Sequence, residues 1–443
     1  MTFSELPGPS GLPVIGQARQ MSADILGFHE RLQADYGDVV HYHVMGTDFC
    51  SVTDPVAIRR ILIGDSDDYE KGKLARKQIG GFLGEGIFFA EGEQWRRQRK
   101  HIQPVFFRER LDTYVPTIWN EAEQLTDRLR DGEVVNLEAA MLATTLRILG
   151  RTLFGISVED EPVLREVTPA VLDRFDTTKA HTYLPDSAPI PAIRRYRRAT
   201  ERLHEFIEGL MKTQRDIPPG EHGDDLLSIL VGLVEADVLS ETEARDNLVT
   251  FLFAGHETSA HGLTFTLCEL ARNPDKQDAI HEELASVLTG ETPTATDLGK
   301  LERVERAIEE GLRLYPPAYL TFREPIRDVE LGGYSVPAGT TLSIPQWVVH
   351  RDSRWWDDSE TYRPERFTDT QSDRPEYAYF PFGGGPRHCI TIRFALMEMK
   401  IVIAMLLSRY ELAFAGQPEF TVEAASNLRL KAPLHVAVQE RPT

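Results

Sequence analysis

The sequence predicts a mainly α fold with a smaller β portion, and three observations carry that expectation. Helical periodicity is nearly continuous from Gly92 to about Ala236, with loop signals near Pro185–Pro191 and Pro218–His222. The stretch between Leu239 and Pro274 reads as a single helix of about 32 residues, roughly 48 Å long, which is enough to cross a whole domain and must therefore be central. Strand-like alternation is confined to a stretch near the N-terminus, the segment after Tyr315-Pro316-Pro317, and the tail.

Taken in order, the proline- and glycine-rich start, "LPGPSGLPVIG", reads as an extended arm. A helical stretch covers Ile25–Ala34. The alternating run "VVHYHVMGTDFCSV" reads as a β-hairpin turning at Met45–Asp48. Asp54 caps a helix whose first turn tolerates Pro55. In the long helix, Ser240 and Glu243 form a capping box, and Asn273-Pro274 ends it. "VELGGYSV" and "GTTLSIP" are strands flanking a Pro-Ala-Gly turn. The last strong helix covers Ile390–Ser408.

The chain has 443 residues, with no linker, repeat or low-complexity stretch, and reads as a single domain over 1–443. Three irregularly spaced cysteines argue against a disulfide framework and fit a reducing cytoplasm. The N-terminus has neither a basic n-region nor an apolar core, and no later window is apolar enough to span a membrane. A formal net charge of −20 disfavours nucleic acid as a partner. Ten lysines stand against thirty-nine arginines. Acid excess with few lysines reads either as a halophilic protein kept soluble by a self-repelling surface or as the product of a GC-rich genome.

Two stretches carry chemistry. On the long helix, His256 and His261 are five apart, so they diverge by about 140° and cannot form the paired zinc ligands of an i, i+4 motif. Within Ala254-Gly255-His256-Glu257-Thr258, the Thr258 hydroxyl can bond the Ala254 carbonyl and bend the helix. Gly255 removes bulk at the bend. A hydroxyl beside the carboxyl of Glu257 can relay protons into the resulting groove; the plain alternative is a buried helix with a solvated Glu and an incidental Thr. The second stretch is "PFGGGPRHCIT". Its glycines let backbone approach a flat ligand. Cys389 sits just before a helix, whose N-terminus favours thiolate, and backbone N–H groups of the turn can donate to the sulfur. Such a thiolate can be the axial ligand of haem iron, with Arg387 and His388 pairing haem carboxylates. The plain alternative is a buried core thiol.

These residues together resemble the cytochrome P-450 family of haem-thiolate monooxygenases. "FGGGPRHC" matches its FxxGxRxC signature at Phe382, Gly385, Arg387 and Cys389, and "AGHET" matches its oxygen-activation pattern. Glu310-Gly-Leu-Arg313 matches the ExxR pair, and "PERF" supplies Arg366 as its third member. Trp95 through Arg99 matches the WxxxR motif, and Arg323 resembles a further propionate arginine. The motifs occur in the family's order along essentially the whole chain.

The resemblance implies a haem b cofactor with Cys389 on its iron. Trp95, Arg99, Arg323, Phe382, Arg387 and His388 would surround it. Ala254, Gly255, Glu257 and Thr258 would form the oxygen and proton site. Glu310, Arg313 and Arg366 would be structural. It implies a monomer without a membrane anchor, and electrons from a ferredoxin or flavodoxin with its reductase, docking near Arg96, Arg97 and Lys100. The substrate would be an apolar small molecule of fatty acid, terpenoid or steroid type, in a pocket involving Phe82, Phe88, Phe89, Leu320 and Leu428. Alternatives are a peroxygenase or isomerase-type relative, disfavoured by the acid–alcohol pair, and a haem-based sensor or carrier. Thr391 departs from the Gly or Ala usual two residues after the cysteine, so it either crowds its surroundings or adds a hydroxyl hydrogen bond. Ser259 stands where a second Thr is common.

Overall fold

The computed structural model describes residues 6–12, 15–157, 162–175, 179, 181, 184, 186–218, 223–288, 292–368, 373–416 and 418–442. Pro185 and residues 219–222, from the two expected loops, lie outside them. Among the described residues the fold is mainly α with a smaller β portion, as expected.

The β portion starts at a tight turn. β1 (Val39–Val44) and β2 (Thr47–Val52) pair antiparallel around Met45-Gly46, whose φ angles are 49° and 84°. Two left-handed residues give the turn whose twist matches that of the strands, so the turn is two residues, shorter than expected. β3 (Tyr69–Glu70), β5 (Thr321–Pro325) and β8 (Thr341–Ile344) complete a five-stranded sheet in the order β1-β2-β8-β5-β3, with β2 and β8 parallel. In chain order β4 (Val134–Asn136) falls between β3 and β5, and "VELGGYSV" is itself a hairpin of β6 (Val329–Leu331) and β7 (Tyr334–Val336). The tail gives β9 (Tyr410–Phe414), β10 (Val422–Ala424), β11 (Leu428–Leu430) and β12 (His435–Glu440). β4 interrupts the stretch expected to be helical, because β12 pairs with it from the distant tail, in a register running from His435↔Asn136 to Ala437↔Val134.

The helices are α1 (Ala18–Ala23), α2 (Ile25–Tyr36), α3 (Pro55–Arg59), α4 (Lys73–Leu83), α5 (Gly92–Ile102), α6 (Arg108–Arg128), α7 (Leu137–Leu153), α8 (Pro162–Phe175), α9 (Pro191–Arg215), α10 (Leu226–Glu235), α11 (Glu241–Arg272), α12 (Pro274–Val287), α13 (Ala295–Leu298), α14 (Glu302–Leu314), α15 (Gln346–Val349) and α16 (Ile392–Arg409). Asp54 accepts from the N–H groups of Val56 and Ala57, with Pro55 in the first turn of α3. α11 has 32 residues, and both halves of its Ser240–Glu243 capping box are made. Glu243 also accepts from Gln94 at 3.1 Å and from Arg97, which ties α5 to the start of α11.

α11 is buried over most of its length and packs against α4, α7, α9, α10, α14 and α16. The main apolar core surrounds it. A second cluster joins the five-stranded sheet to Ile61, Leu62, Tyr377 and Phe380, so the approach to the cysteine loop is anchored in the β portion. Among the described residues no helix is long and apolar enough to cross a membrane.

Candidate functional site

The three cysteines differ in their surroundings. Cys50 and Cys268 are fully buried, and burial pushes the Cys50 thiol up to about 12 and raises that of Cys268. Cys389 keeps accessible surface. Its loop is folded by two short bonds, Gly383 N–H to the Phe380 carbonyl and Cys389 N–H to the Phe382 carbonyl, each 2.9 Å. A Cβ at Gly384 would collide with the Tyr377 hydroxyl, and one at Gly385 (φ 62°) with the Leu62 carbonyl. At Gly383 (φ 70°) a Cβ would meet nothing within 4 Å. Two of the three glycines therefore answer to protein packing, and Gly383 alone of the three borders open space, which corrects the expectation that all serve a flat ligand.

α16 starts at Ile392, two residues later than expected, with Thr391 in the N-cap position. The Thr391 Oγ1 lies 3.2 Å from the Cys389 Sγ. Backbone N–H groups were the expected donors to this sulfur. Among the described residues its hydrogen-bond partner is instead the Thr391 hydroxyl.

Around the loop lies a cluster rich in cations. Arg99 donates to the His388 carbonyl at 2.9 Å and to its Nε2 at 3.0 Å, while Nδ1 of the same ring donates to the Gly385 carbonyl at 2.8 Å. His388 is thus used on both nitrogens and orients Arg99, rather than being free for a carboxylate as the sequence reading has it. Arg387 pairs with Glu91, donates to the Ala90 carbonyl at 2.7 Å, and stands over the Trp95 ring at 4.4 Å. The carboxylate expected for Arg387 from a cofactor is therefore met by Glu91 inside the protein. Arg323 is buried and donates to the Phe322 carbonyl at 2.8 Å, and among the described residues no carboxylate pairs with it. Burial, with Arg387 nearby, lowers its guanidinium to about 10. The Lys71 amine sits over the Phe88 ring at 3.5 Å, and burial with Arg323 and Arg387 beside it pushes its pKa well below the ordinary lysine value. Buried cations need anions. Arg99 and Arg323 are buried and Lys71 and Arg387 partly so, and among the described residues Glu91 is the carboxylate that meets them, through Arg387, so the cluster fits a ligand that brings carboxylates of its own.

A second cluster is closed. Arg313 forms a bidentate pair with Glu310 at 2.7 and 2.8 Å, and Arg366 reaches the same carboxylate at 2.9 Å, all buried from solvent. Arg313 also donates to the His350 and Ser359 carbonyls at 2.8 and 2.7 Å. The His350 Nε2 accepts the Phe380 N–H at 2.9 Å. The Glu310–Arg313–Arg366 network therefore holds the residue from which the cysteine loop departs.

α16 is linked to α11 on both sides of the Ala254–Thr258 stretch, through Phe106 on one side and directly on the other. Phe394 faces Phe106 at 6.5 Å, and Phe106 stacks on Phe251 at 5.5 Å. Farther along, Met399 lies against Gly262. Between these contacts Ala254 is exposed and Phe253, Gly255 and Thr258 keep accessible surface, although α11 lies at the centre of the core. The Thr258 hydroxyl donates to the Ala254 carbonyl at 2.7 Å, as expected. That bond is no signature, since Thr250, Thr264 and Thr266 make the same one. What distinguishes Thr258 is its accessible surface in mid-core. Gly255 is explained by α7, because a Cβ there would collide with Leu149.

Glu257 is buried and accepts from Asn427, on the β10–β11 turn, at 3.2 Å. Burial pushes its carboxyl up to about 7, against the opposing effects of Asn427 and Arg429. Three residues escaped the sequence reading. Asn427 and Lys71 belong to no local pattern. Glu398 was readable as a charge on the apolar face of α16: it is buried, neither carboxyl oxygen makes a well-formed hydrogen bond among the described residues, and burial pushes it up to about 8 with the Ser259 hydroxyl opposing.

The expected apolar lining is only partly accessible. Phe82, Phe89 and Leu428 are fully buried, while Phe88 and Leu320 keep surface. Phe82 packs edge-on against Phe253 at 4.5 Å. The loop before Trp95 is held by α11, whose Asp246 and Asn247 accept from the N–H groups of Glu85 and Ile87 at 2.8 and 2.9 Å. Of the three docking cations, Arg97 is committed to Glu243 and Arg96 lies 3.5 Å from Asp67.

Comparison with known proteins places these features in a context. The family model for cytochrome P-450 matches residues 6–436. Pentalenene oxygenase of Streptomyces avermitilis is 32% identical over 92% of this chain and 91% of its own length. Cyclooctat-9-en-7-ol 5-monooxygenase of Streptomyces melanosporofaciens is 30% identical over 91% and 88%. Cytokinin hydroxylase of Arabidopsis thaliana is 32% identical over 82% and 73%.

Proposed function

Because the chain belongs to the cytochrome P-450 family, and so is a monooxygenase of a family built on a haem-thiolate cofactor, we propose that it binds haem b through Cys389 and inserts one oxygen atom from O2 into an apolar small molecule. The observation that carries the proposal is the unneutralised cation cluster beside an accessible sulfur. Arg323, Lys71 and Arg99 would hold the haem carboxylates, with Arg387 sharing its charge between them and Glu91. Trp95 and Phe382 would flank the group, and Gly383 would leave room at its edge. When bound, haem supplies an iron centre that activates dioxygen reductively. Thr258 and Glu257 would handle the protons. A carboxyl held near 7 by burial can both keep and release a proton at neutral pH. Ala254 leaves space beside them. This acid–alcohol pair supports monooxygenation over a peroxide-driven or isomerase reaction, and over a sensor or carrier.

Two relatives are named for acting on pentalenene and cyclooctat-9-en-7-ol, an alkene and an alkenol. These names support a terpenoid-like substrate ahead of a fatty acid or steroid. Electrons would come from a ferredoxin or flavodoxin with its reductase. With Arg97 capping α11 and Arg96 near Asp67, Lys100 is, of the three expected docking cations, the one left to favour docking, and high salt would weaken it. A cytoplasmic monomer, halophilic in its acidic surface, completes the proposal; an unfolding midpoint that rises with added salt would support the last part.

The first test is the reduced carbon monoxide complex of the purified protein. A red-shifted Soret band is expected, and its absence in a haem-loaded sample would remove Cys389 as ligand. The second is a spectral-shift titration with terpenoids, fatty acids and steroids, in which terpenoids are expected to bind at the lowest concentration.

A further inference from the structure

Thr391 stands where the family usually has Gly or Ala, and its contacts define a role. It occupies the N-cap position of α16 with φ −97° and ψ 10°. A threonine there ordinarily turns its oxygen to an N–H group of the first helical turn. Here no side-chain capping bond is made. The backbone carbonyl of Thr391 takes the Ala395 N–H at 2.9 Å, while its hydroxyl lies 3.2 Å from the Cys389 Sγ. A hydroxyl carries one proton to donate, and a thiolate can only accept. The Cys389 N–H is spent on the Phe382 carbonyl. Helix capping has thus been given up for a contact with sulfur.

Building on the reading of Cys389 as iron ligand, we propose that Thr391 donates a hydrogen bond to the Cys389 thiolate and tunes the iron it holds. Hydrogen bonds to a ligating sulfur draw charge away from the metal and raise its reduction potential. Thr391 would therefore make the iron easier to reduce than a Gly or Ala at the same place. In the proposal Thr391 is a positioning and tuning residue, since it acts through the sulfur.

The test compares haem-loaded Thr391→Val, Thr391→Ser and Thr391→Ala with the parent protein, by spectroelectrochemical titration and by the Fe–S stretching frequency in resonance Raman. Thr391→Val keeps the shape and removes the proton; Thr391→Ser keeps the proton; Thr391→Ala removes both. Val and Ala should each shift the ferric–ferrous equilibrium about tenfold toward ferric, which is about 59 mV for a one-electron couple, and should raise the Fe–S frequency. Ser should stay within about twofold of the parent. An unmoved potential in Thr391→Val, or a shift in Ala without one in Val, would overturn the proposal, the latter by making bulk the cause. Should Thr391→Val fail to take up haem, the contrast between Ala and Ser carries the same test. The parent's reduced carbon monoxide band is recorded first. A missing band overturns the thiolate reading and this proposal with it, whereas an intact band with unmoved potentials overturns this proposal alone.

Discussion

The two charged clusters near the cysteine loop are built to opposite rules. In Glu310–Arg313–Arg366 a buried carboxylate meets two guanidinium groups, and the remaining donors of Arg313 are taken up by backbone carbonyls. In Lys71–Arg99–Arg323–Arg387, Glu91 is the carboxylate in contact, and Arg323 has, among the described residues, a single hydrogen bond to its neighbour's carbonyl. Buried charge is tolerated where it is paired and hydrogen-bonded. A closed cluster holds structure, and an open one is completed by something else. Glu257 extends the contrast to α11, as a buried acid with one amide partner.

The largest effect is expected on opening the closed cluster. Glu310→Ala leaves two buried guanidinium groups unpaired, which should cost about 3–5 kcal/mol. Urea unfolding should show the loss, and haem incorporation should fail with it. If Glu310→Ala keeps its unfolding midpoint, the closed cluster is not structural.

Next comes Glu257→Gln, which should stabilise the protein at high pH. An unfolded glutamate titrates near 4.5 and Glu257 is pushed up to about 7. Below the lower value both states are protonated and nothing is lost. As pH rises between the two, the unfolded state gives up its proton first, so stability falls. Above the upper value the burden is roughly 3 kcal/mol. Glu257→Gln should therefore raise the melting temperature at pH 8 and leave it nearly unchanged at pH 4, while lowering product formed per O2 consumed. Equal effects at both pH values would show that the carboxyl's charge is not what is strained.

The smallest effect is expected in the open cluster. Arg323→Gln removes a buried charge that lacks a carboxylate, so the apoprotein should unfold no more easily than the parent. Haem affinity should fall about tenfold or more, in line with the loss of one charge-assisted hydrogen bond, as read by transfer of haem to apomyoglobin. A destabilised apoprotein with unchanged haem transfer would reverse the assignment of the two clusters.

Much of the fold could be read locally. The Ser240–Glu243 box, the Asp54 cap and the Met45-Gly46 hairpin each depend on residues a few positions apart. β4 could not, because its three residues become a strand through a partner in the tail. In the site, motif spacing was enough to single out Cys389, Glu310, Arg313 and Thr258. Lys71 and Asn427 carry no pattern, and their importance arises from neighbours in distant segments. His388 and Arg387 were expected to face a cofactor's carboxylates, and their partners inside the protein are Arg99 and Glu91.

The helical class, the central helix and the order of the family's motifs follow from the chain alone, because periodicity, caps and motif spacing are short-range properties. Which charges balance, which glycines serve packing, and where the Thr391 hydroxyl points are set by the folded arrangement. Those depend on the sum of contacts from segments far apart in the chain, where burial and distance set the strength of every charge and hydrogen bond.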